Sequence, residues 1–283
     1  MSKILPIVYS AHHASHNFGK FTSRCALTLE QCVKYSDYGT DDTVPKHTHY
    51  SISNYSRGLV DLNRAPDSPT LFPKQDFGKP NKNNIWLSGF EPTDEERKFI
   101  RETIYEPYHQ QLLQTIKNLE DYDTESNKPI VVVAWDNTAH YEIGKNPDGT
   151  ARIMDYFILC NNGDRNKGNS TNPQVKTTCN PDFIVELANN LNSALREQKL
   201  EGKATLNTYD DKPNNECGYI ASNYNTHYNP GISKKRPVES FQVEYSTIIT
   251  HSQQHLCPNY EAMQKLRLAF EKAMEETYTK FFR

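Results

Sequence analysis

The chain has 283 residues, 36% of them hydrophobic and 24% charged, with a formal net charge of −3 at neutral pH. That acidic balance, with a sequence pI of about 6.4, leaves no electrostatic footprint for nucleic acid. No run approaches the ~20 apolar residues of a membrane span, and the apolar stretch behind the N-terminal Met-Ser-Lys is too short for a signal peptide. A mean hydropathy of −0.80 points to a polar surface and long loops, while 17 Tyr and 12 Phe can still build a core. None of the six cysteines forms a Cys-x-x-Cys pair, so no thiolate zinc knuckle is indicated. We read a soluble cytoplasmic protein with reduced thiols and partners limited to small molecules.

The first predicted element is a buried strand over residues 4–9, followed at once by "YSAHHASHNFG", which crowds His12, His13 and His16 just past the strand end. "LTLEQCVKY" then reads as a short helix stopped by the glycine turn in "SDYGTD". Residues 45–90, rich in Pro, Asn, Ser and Lys, read as a long excursion around one ordered piece, "YSRGLVDLNR"; a loop this long inside a compact domain is usually functional. The clearest helical segment spans 92–121. Thr93 and Glu96 make a capping box, Phe99, Ile100, Ile104, Leu112, Leu113 and Ile116 recur at helical spacing, and Pro107 makes it one kinked helix or two.

"PIVVVAWD" is the strongest strand signal, a continuous β-branched run of the kind covered on both faces. "MDYFILCN" and "SFQVEYS" read as further strands. A helix starts at Pro181 with Asn180 as its cap, and residues 258–279 form an amphipathic C-terminal helix. Alternating strands and helices predict an α/β three-layer sandwich, a mixed and mostly parallel sheet flanked by helices in the manner of phosphorylase/hydrolase-like folds. A second domain boundary is not evident, so residues 1–283 are read as one domain.

Three strands end in residues able to do metal chemistry: His12 and His13 after the first, Asp136 and His140 around the end of "VVVAWDNTAH", and Glu244 inside "FQVEYS". In open α/β sheets ligands gather at the carboxyl ends of strands. Zinc takes imidazole nitrogen and carboxylate oxygen, and Glu244, with apolar strand neighbours, suits a general base whose pKa burial raises. Taken singly each has an ordinary explanation: a hydrogen-bonded loop histidine, a turn-capping Asp136, a core ion pair for Glu244. No compact His-Glu-x-x-His element is present.

Together, "YSAHHAS", "SDYGTD", "SRGLVDLNRAPDSPTLFP", "EPYHQQL" and "VESFQVEYS" resemble the N-formylglutamate amidohydrolase family, in family order, from residue 9 to about residue 246. "SRGLVDLNR" is the most specific match. The family is similar in fold to zinc carboxypeptidases. The resemblance implies one Zn²⁺ held by His13, by Asp37 or Asp41, and by His140, with Asp136 standing behind the ligands. The competing assignment gives Asp136 the place of His140. It implies Glu244 as catalytic base, Arg57, Asn63 and Arg64 as the grip on a substrate carboxylate, Asp61 as the ion-pair partner that orients an arginine, and His109 as the helical histidine. Two departures stand out. The family's Asp-Ala-His-Ser becomes "WDNTAH", and its Gly-Tyr-Ile-Thr-Arg-His-Tyr-Gly becomes "GYIASNYN", with Ser222 and Asn223 for Arg and His. The expectation is a zinc-dependent hydrolase of the non-peptide amide bond of an N-acyl, formyl-like amino acid or related small carboxylate. The alternatives are a peptidase-like hydrolase of γ-glutamyl or peptide substrates and a non-catalytic descendant that binds a small ligand.

Overall fold

The computed structural model describes residues 5–46, 49–76, 82–122, 127–138, 142–145, 149–208, 217–251 and 257–282. Its strands are β1 (Ile7–Ala11), β2 (His49–Ile52), β3 (Ile130–Thr138), β4 (Glu142–Lys145), β5 (Ala151–Ile153), β6 (Phe157–Cys160), β7 (Ala204–Leu206) and β8 (Val238–Ser246). Six of them form one mixed sheet in the order β2-β1-β3-β8-β6-β7, and β4 and β5 pair as a separate antiparallel ribbon. Within the large sheet only β6 runs against its neighbour β8; every other pairing is parallel. The expected fold class is the one observed.

The strongest apolar run lies at the centre because a parallel strand buried on both faces needs apolar side chains on both. Alternation then sorts them. Val8, Ile130, Val132 and Ala134 face a layer that includes Leu112, Ile116 and Leu119 of helix α4 (Glu106–Tyr122), whereas Ile7, Tyr9, Val131, Val133 and Trp135 face a layer that includes Leu187 and Leu191 of α5 (Pro181–Glu197) and Leu266 and Phe270 of α8 (Tyr260–Phe281).

The helices start where their caps predict. Thr28 and Gln31 box the start of α1 (Leu29–Tyr35), Thr93 and Glu96 that of α3 (Asp94–Ile100), and the Asn180 side chain accepts from Asp182 N and Phe183 N at the start of α5. Such caps satisfy amides that have no partner within the helix. The sequence left one kinked helix or two between residues 92 and 121. The structure resolves this as α3, a π-helical turn at Arg101–Tyr105, and α4, without a loop. Pro107 lacks an amide hydrogen and its ring crowds the carbonyl four residues back; the wider π turn upstream accommodates both. Short helices α2 (Thr40–Thr43), α6 (Tyr219–Asn223) and α7 (Thr247–Thr250) complete the set. Among the described residues no helix is long and apolar enough to cross a membrane.

The first strand begins and ends later than its apolar run suggested, at Ile7 and Ala11, so Ser10 and Ala11 belong to the sheet and His12 and His13 follow immediately. Within the long excursion the piece "GLVDLN" is buried throughout, from Gly58 to Asn63.

Candidate metal centre

Successive side chains of a strand point to opposite faces, and this decides what the strand ends present. Ser10 and His12 share the parity of Val8, and Asp136 that of Val132 and Ala134, so all point to the face covered by α4. Ser10 Oγ lies 2.8 Å from the Tyr108 hydroxyl of that helix. Phe241, Val243 and Tyr245 belong to the opposite face, which turns Gln242 and Glu244 toward α4 as well. β1, β3 and β8 are adjacent and parallel, and Asp136 stands directly opposite Glu244 in the register.

His12, His13 and Asp136 are buried, with one ligand atom of each within 4.8 Å of the others. His12 Nδ1 donates to the Ser10 carbonyl (3.0 Å), which fixes the tautomer and leaves a lone pair on Nε2. That Nε2 is 2.7 Å from Asp136 Oδ2 but has no hydrogen-bond partner. His13 Nε2 donates to Asp61 Oδ1 (2.7 Å). Its Nδ1 sits 3.0 Å from Asp37 Oδ2 and 3.3 Å from Asp136 Oδ1. Asp136 Oδ1 is likewise buried without a hydrogen bond. His12 Nε2 and Asp136 Oδ1 are thus buried in one cluster without hydrogen bonds, while His13 Nδ1 is hydrogen-bonded to Asp37 Oδ2 and lies 3.3 Å from Asp136 Oδ1. Lone pairs crowded in this way repel unless a cation stands among them. The donor set of two imidazoles and a carboxylate suits zinc, and Asp61 behind His13 is the kind of carboxylate that steadies a ligating ring. The residues present therefore fit a divalent cation.

The electrostatics show how closely charges are packed here. Burial works against the charged form of Asp136, yet the two imidazoles hold it well below the usual carboxylate range. Burial and Arg57 act to lower His13, but Asp136 and Asp61 keep it well above the ordinary histidine value. Burial pulls His12 down. Burial, reinforced by Asp136, pushes Asp37 up to about 7. Glu244 is driven well above its ordinary value by burial and then by Asp136 and Asp37. A protonatable carboxyl beside a cluster of fixed charges is what acid–base catalysis requires.

The remaining expected residues fall around this group. Asp37 borders it through His13, with its own amide donating to the His13 carbonyl (3.0 Å). Asp41 lies farther along, half-buried on α2, and among the described residues no hydrogen bond or ion pair joins it to the cluster. His140 lies outside the described residues. Arg57 is forked between Asp61 (3.1 Å) and Asp37 (3.6 Å). Arg64 Nε is 3.5 Å from Asp61 Oδ2 and its side chain remains 43% exposed. Asn63 is buried, its Oδ1 accepting from Ile220 N (2.9 Å). His109 is buried among Tyr105, Tyr108, Tyr219 and Tyr224, its Nδ1 2.6 Å from the Tyr224 hydroxyl. The expected ligands were His13, Asp37 or Asp41, and His140, with Asp136 behind them or in the place of His140; the buried group that could hold an ion joins His12 and Asp136 to His13. The signal that finds both is parity along the strand, counted to the last residue.

The family model for N-formylglutamate amidohydrolase matches residues 5–232. The chain belongs to the N-formylglutamate amidohydrolase family. No curated protein matches its sequence. Among solved structures it resembles N-formylglutamate amidohydrolase from Ralstonia eutropha JMP134, with a TM-score of 0.64 at 16% identity over 99% of this chain and 94% of the other. It also resembles a gene product of Agrobacterium tumefaciens, with a TM-score of 0.59 at 13% identity over 96% of this chain and 91% of that one. At such identities the likeness is one of fold. Membership of the N-formylglutamate amidohydrolase family makes amidohydrolase activity the coarse functional assignment, and the cluster at the ends of β1, β3 and β8 lies where an open α/β fold gathers its ligands.

Proposed function

We propose that this protein is a zinc-dependent amidohydrolase that cleaves the non-peptide amide bond of an N-acyl, formyl-like amino acid or a related small carboxylate. The observation that carries the reading is the pair of buried atoms left without hydrogen bonds, His12 Nε2 and Asp136 Oδ1, next to a buried Glu244 on the neighbouring strand. His12, His13 and Asp136 would hold the ion, with Asp37 at the edge of the group. A bound divalent ion supplies Lewis acidity toward a carbonyl oxygen and eases deprotonation of water.

The chain's own residues do the rest. Glu244, buried and raised above the ordinary carboxylate range, takes the proton of a water directed at the amide carbon and returns it to the departing amine nitrogen. Asp61 holds the His13 ring in one orientation. Arg57 is committed to two carboxylates, so it acts as a fixed cation at the rim. Arg64 is the more exposed guanidinium, with the geometry to take a substrate carboxylate in bidentate fashion. Ser222 and Asn223 stand where the family pattern has Arg and His, which removes one cationic contact and argues for a substrate other than N-formylglutamate itself. All six cysteines are free thiols, which supports work in a reducing compartment such as the cytoplasm.

The test is elemental analysis of protein purified without chelator, followed by a screen of N-acyl amino acids for amine release. About one zinc per chain and hydrolysis of a member of that class are expected. Metal-free protein that takes up no zinc on dialysis would overturn the reading.

A further inference from the structure

Asp61 and Asn63 occupy a buried segment that touches two separate parts of the centre. Asp61 Oδ1 accepts from His13 Nε2 (2.7 Å) and from Asn63 N (3.0 Å). Asn63 in turn grips the turn that begins α6. Its carbonyl accepts from Tyr219 N (3.2 Å) and its side-chain Oδ1 from Ile220 N (2.9 Å). Gly218 packs so tightly on this side chain that a Cβ there would come within 2.1 Å of Asn63 Nδ2. Gly218 N donates to Gln242 Oε1 (2.8 Å), and Gln242 Nε2 donates to Glu244 Oε1 (2.5 Å). Gln242 and Glu244 are two residues apart on β8 and share a face. An amide side chain has one acceptor and one donor end; here both ends are used, one on the turn and one on the carboxylate.

We infer that Asn63 and Gln242 are positioning residues, and that the buried Asp61–Asn63 segment is a common anchor that aims both the His13 ring and the Glu244 carboxylate. The inference rests on the proposed role of Glu244 and adds a positioning role to the one expected of Asn63. Its side chain is buried with the oxygen given to Ile220 N, so that end is built into the wall. The anchor reaches His13 through one aspartate and Glu244 through one turn and one glutamine. It thereby ties the first strand end to the third, across the 230 positions that separate them, without passing through β3.

The test uses the zinc-loaded, full-length protein. Gln242→Met keeps the volume and removes the amide; Gly218→Ala disturbs the turn without touching Glu244. For each, kcat toward the best N-acyl amino acid is expected to fall by about tenfold to a hundredfold, the loss that follows from a carboxylate displaced by about an ångström; KM and zinc content stay unchanged in Gln242→Met, whereas Gly218→Ala, which also pushes on Asn63, lowers zinc content as well. In a Glu244→Gln background Gln242→Met is expected to add nothing. An undiminished kcat, or an equal further loss in the Glu244→Gln background, would overturn the inference. A crystal structure of Gln242→Met supplies a readout independent of activity. A Glu244 carboxylate turned away from its position opposite Asp136 supports the anchor, and one that has not moved refutes it even if no substrate is ever found. Absence of N-acyl amino acid hydrolysis in the unmodified protein, together with a Glu244 carboxylate turned away in the variant, would instead count against the functional reading alone.

Discussion

The two faces of the same central strands have opposite characters. On the α5–α8 face, Tyr9, Trp135, Phe270 and Tyr245 pack as a dry aromatic cluster with ring centroids 4.6–6.2 Å apart. Two of its polar atoms share one partner: Trp135 Nε1 donates to Thr43 Oγ1 (3.0 Å), which lies 2.7 Å from the Tyr245 hydroxyl. On the α4 face, at positions of opposite parity, His12, Asp136 and Glu244 are also buried, yet His12 Nε2 and Asp136 Oδ1 lack hydrogen bonds. Both faces are buried; satisfaction differs. The satisfied face stabilises the fold, and the unsatisfied one is costly to form without a ligand.

Substitutions should therefore divide by face. The largest effect is expected for Glu244→Gln, which loses hydrolysis by about 10²–10⁴-fold while thermal unfolding of the metal-free protein shifts little or upward, because one of several crowded carboxyls has been neutralised. Retained turnover would erase the distinction. Across the strand, Trp135→Ala removes a fully buried indole and is expected to destabilise by about 3–5 kcal/mol, read from the denaturant midpoint. A smaller loss would mean that the aromatic layer carries less than its packing implies.

Acid gives a third probe. Burial, followed by the influence of His12, lowers His109 to about 4, below the 6.5 of a free imidazole. The unfolded chain therefore binds a proton that the folded one refuses between those values. The stability from the neutral ring is complete above about pH 6.5 and is lost as the pH falls toward 4, a cost of about 3 kcal/mol. Unfolding measured against pH should show this slope in the native chain and a flatter one in His109→Phe. The smallest effect is expected for Tyr245→Phe, about 1–2 kcal/mol, because it strips one partner from Thr43 and Asn137 without opening a cavity. A neutral result would show that these groups find replacement partners.

Much of the scaffold was legible because its causes are local. The stretches at residues 129–136 and 240–246 announced strands, and Thr93, Glu96, Asn180 and Pro181 announced helix starts at the positions observed. The site was legible in its ingredients but not in its arrangement. His13, Asp37 and Arg57 could be picked out one by one. Whether Asp136 stands among the ligands or behind them depends on the β3–β8 register, a property of strands about a hundred positions apart. The family resemblance implied Asn63 as a substrate contact; only the α6 turn closing over it shows that its oxygen is taken. Local chemistry names candidates, and long-range packing decides which of their atoms remain available.

The π turn at Arg101–Tyr105 has a consequence for how this helix tolerates length changes. A wide turn of this kind holds one residue more than a regular helix of equal reach. Deleting a single position there would restore ordinary winding and leave both flanking surfaces facing as they do, whereas the same deletion within Glu106–Tyr122 would rotate the parts of the helix on either side of it by about 100° relative to each other. In the whole 94–122 stretch, a one-codon loss is cheapest in those five residues, and its remaining penalty is the meeting of the Pro107 ring with the backbone behind it.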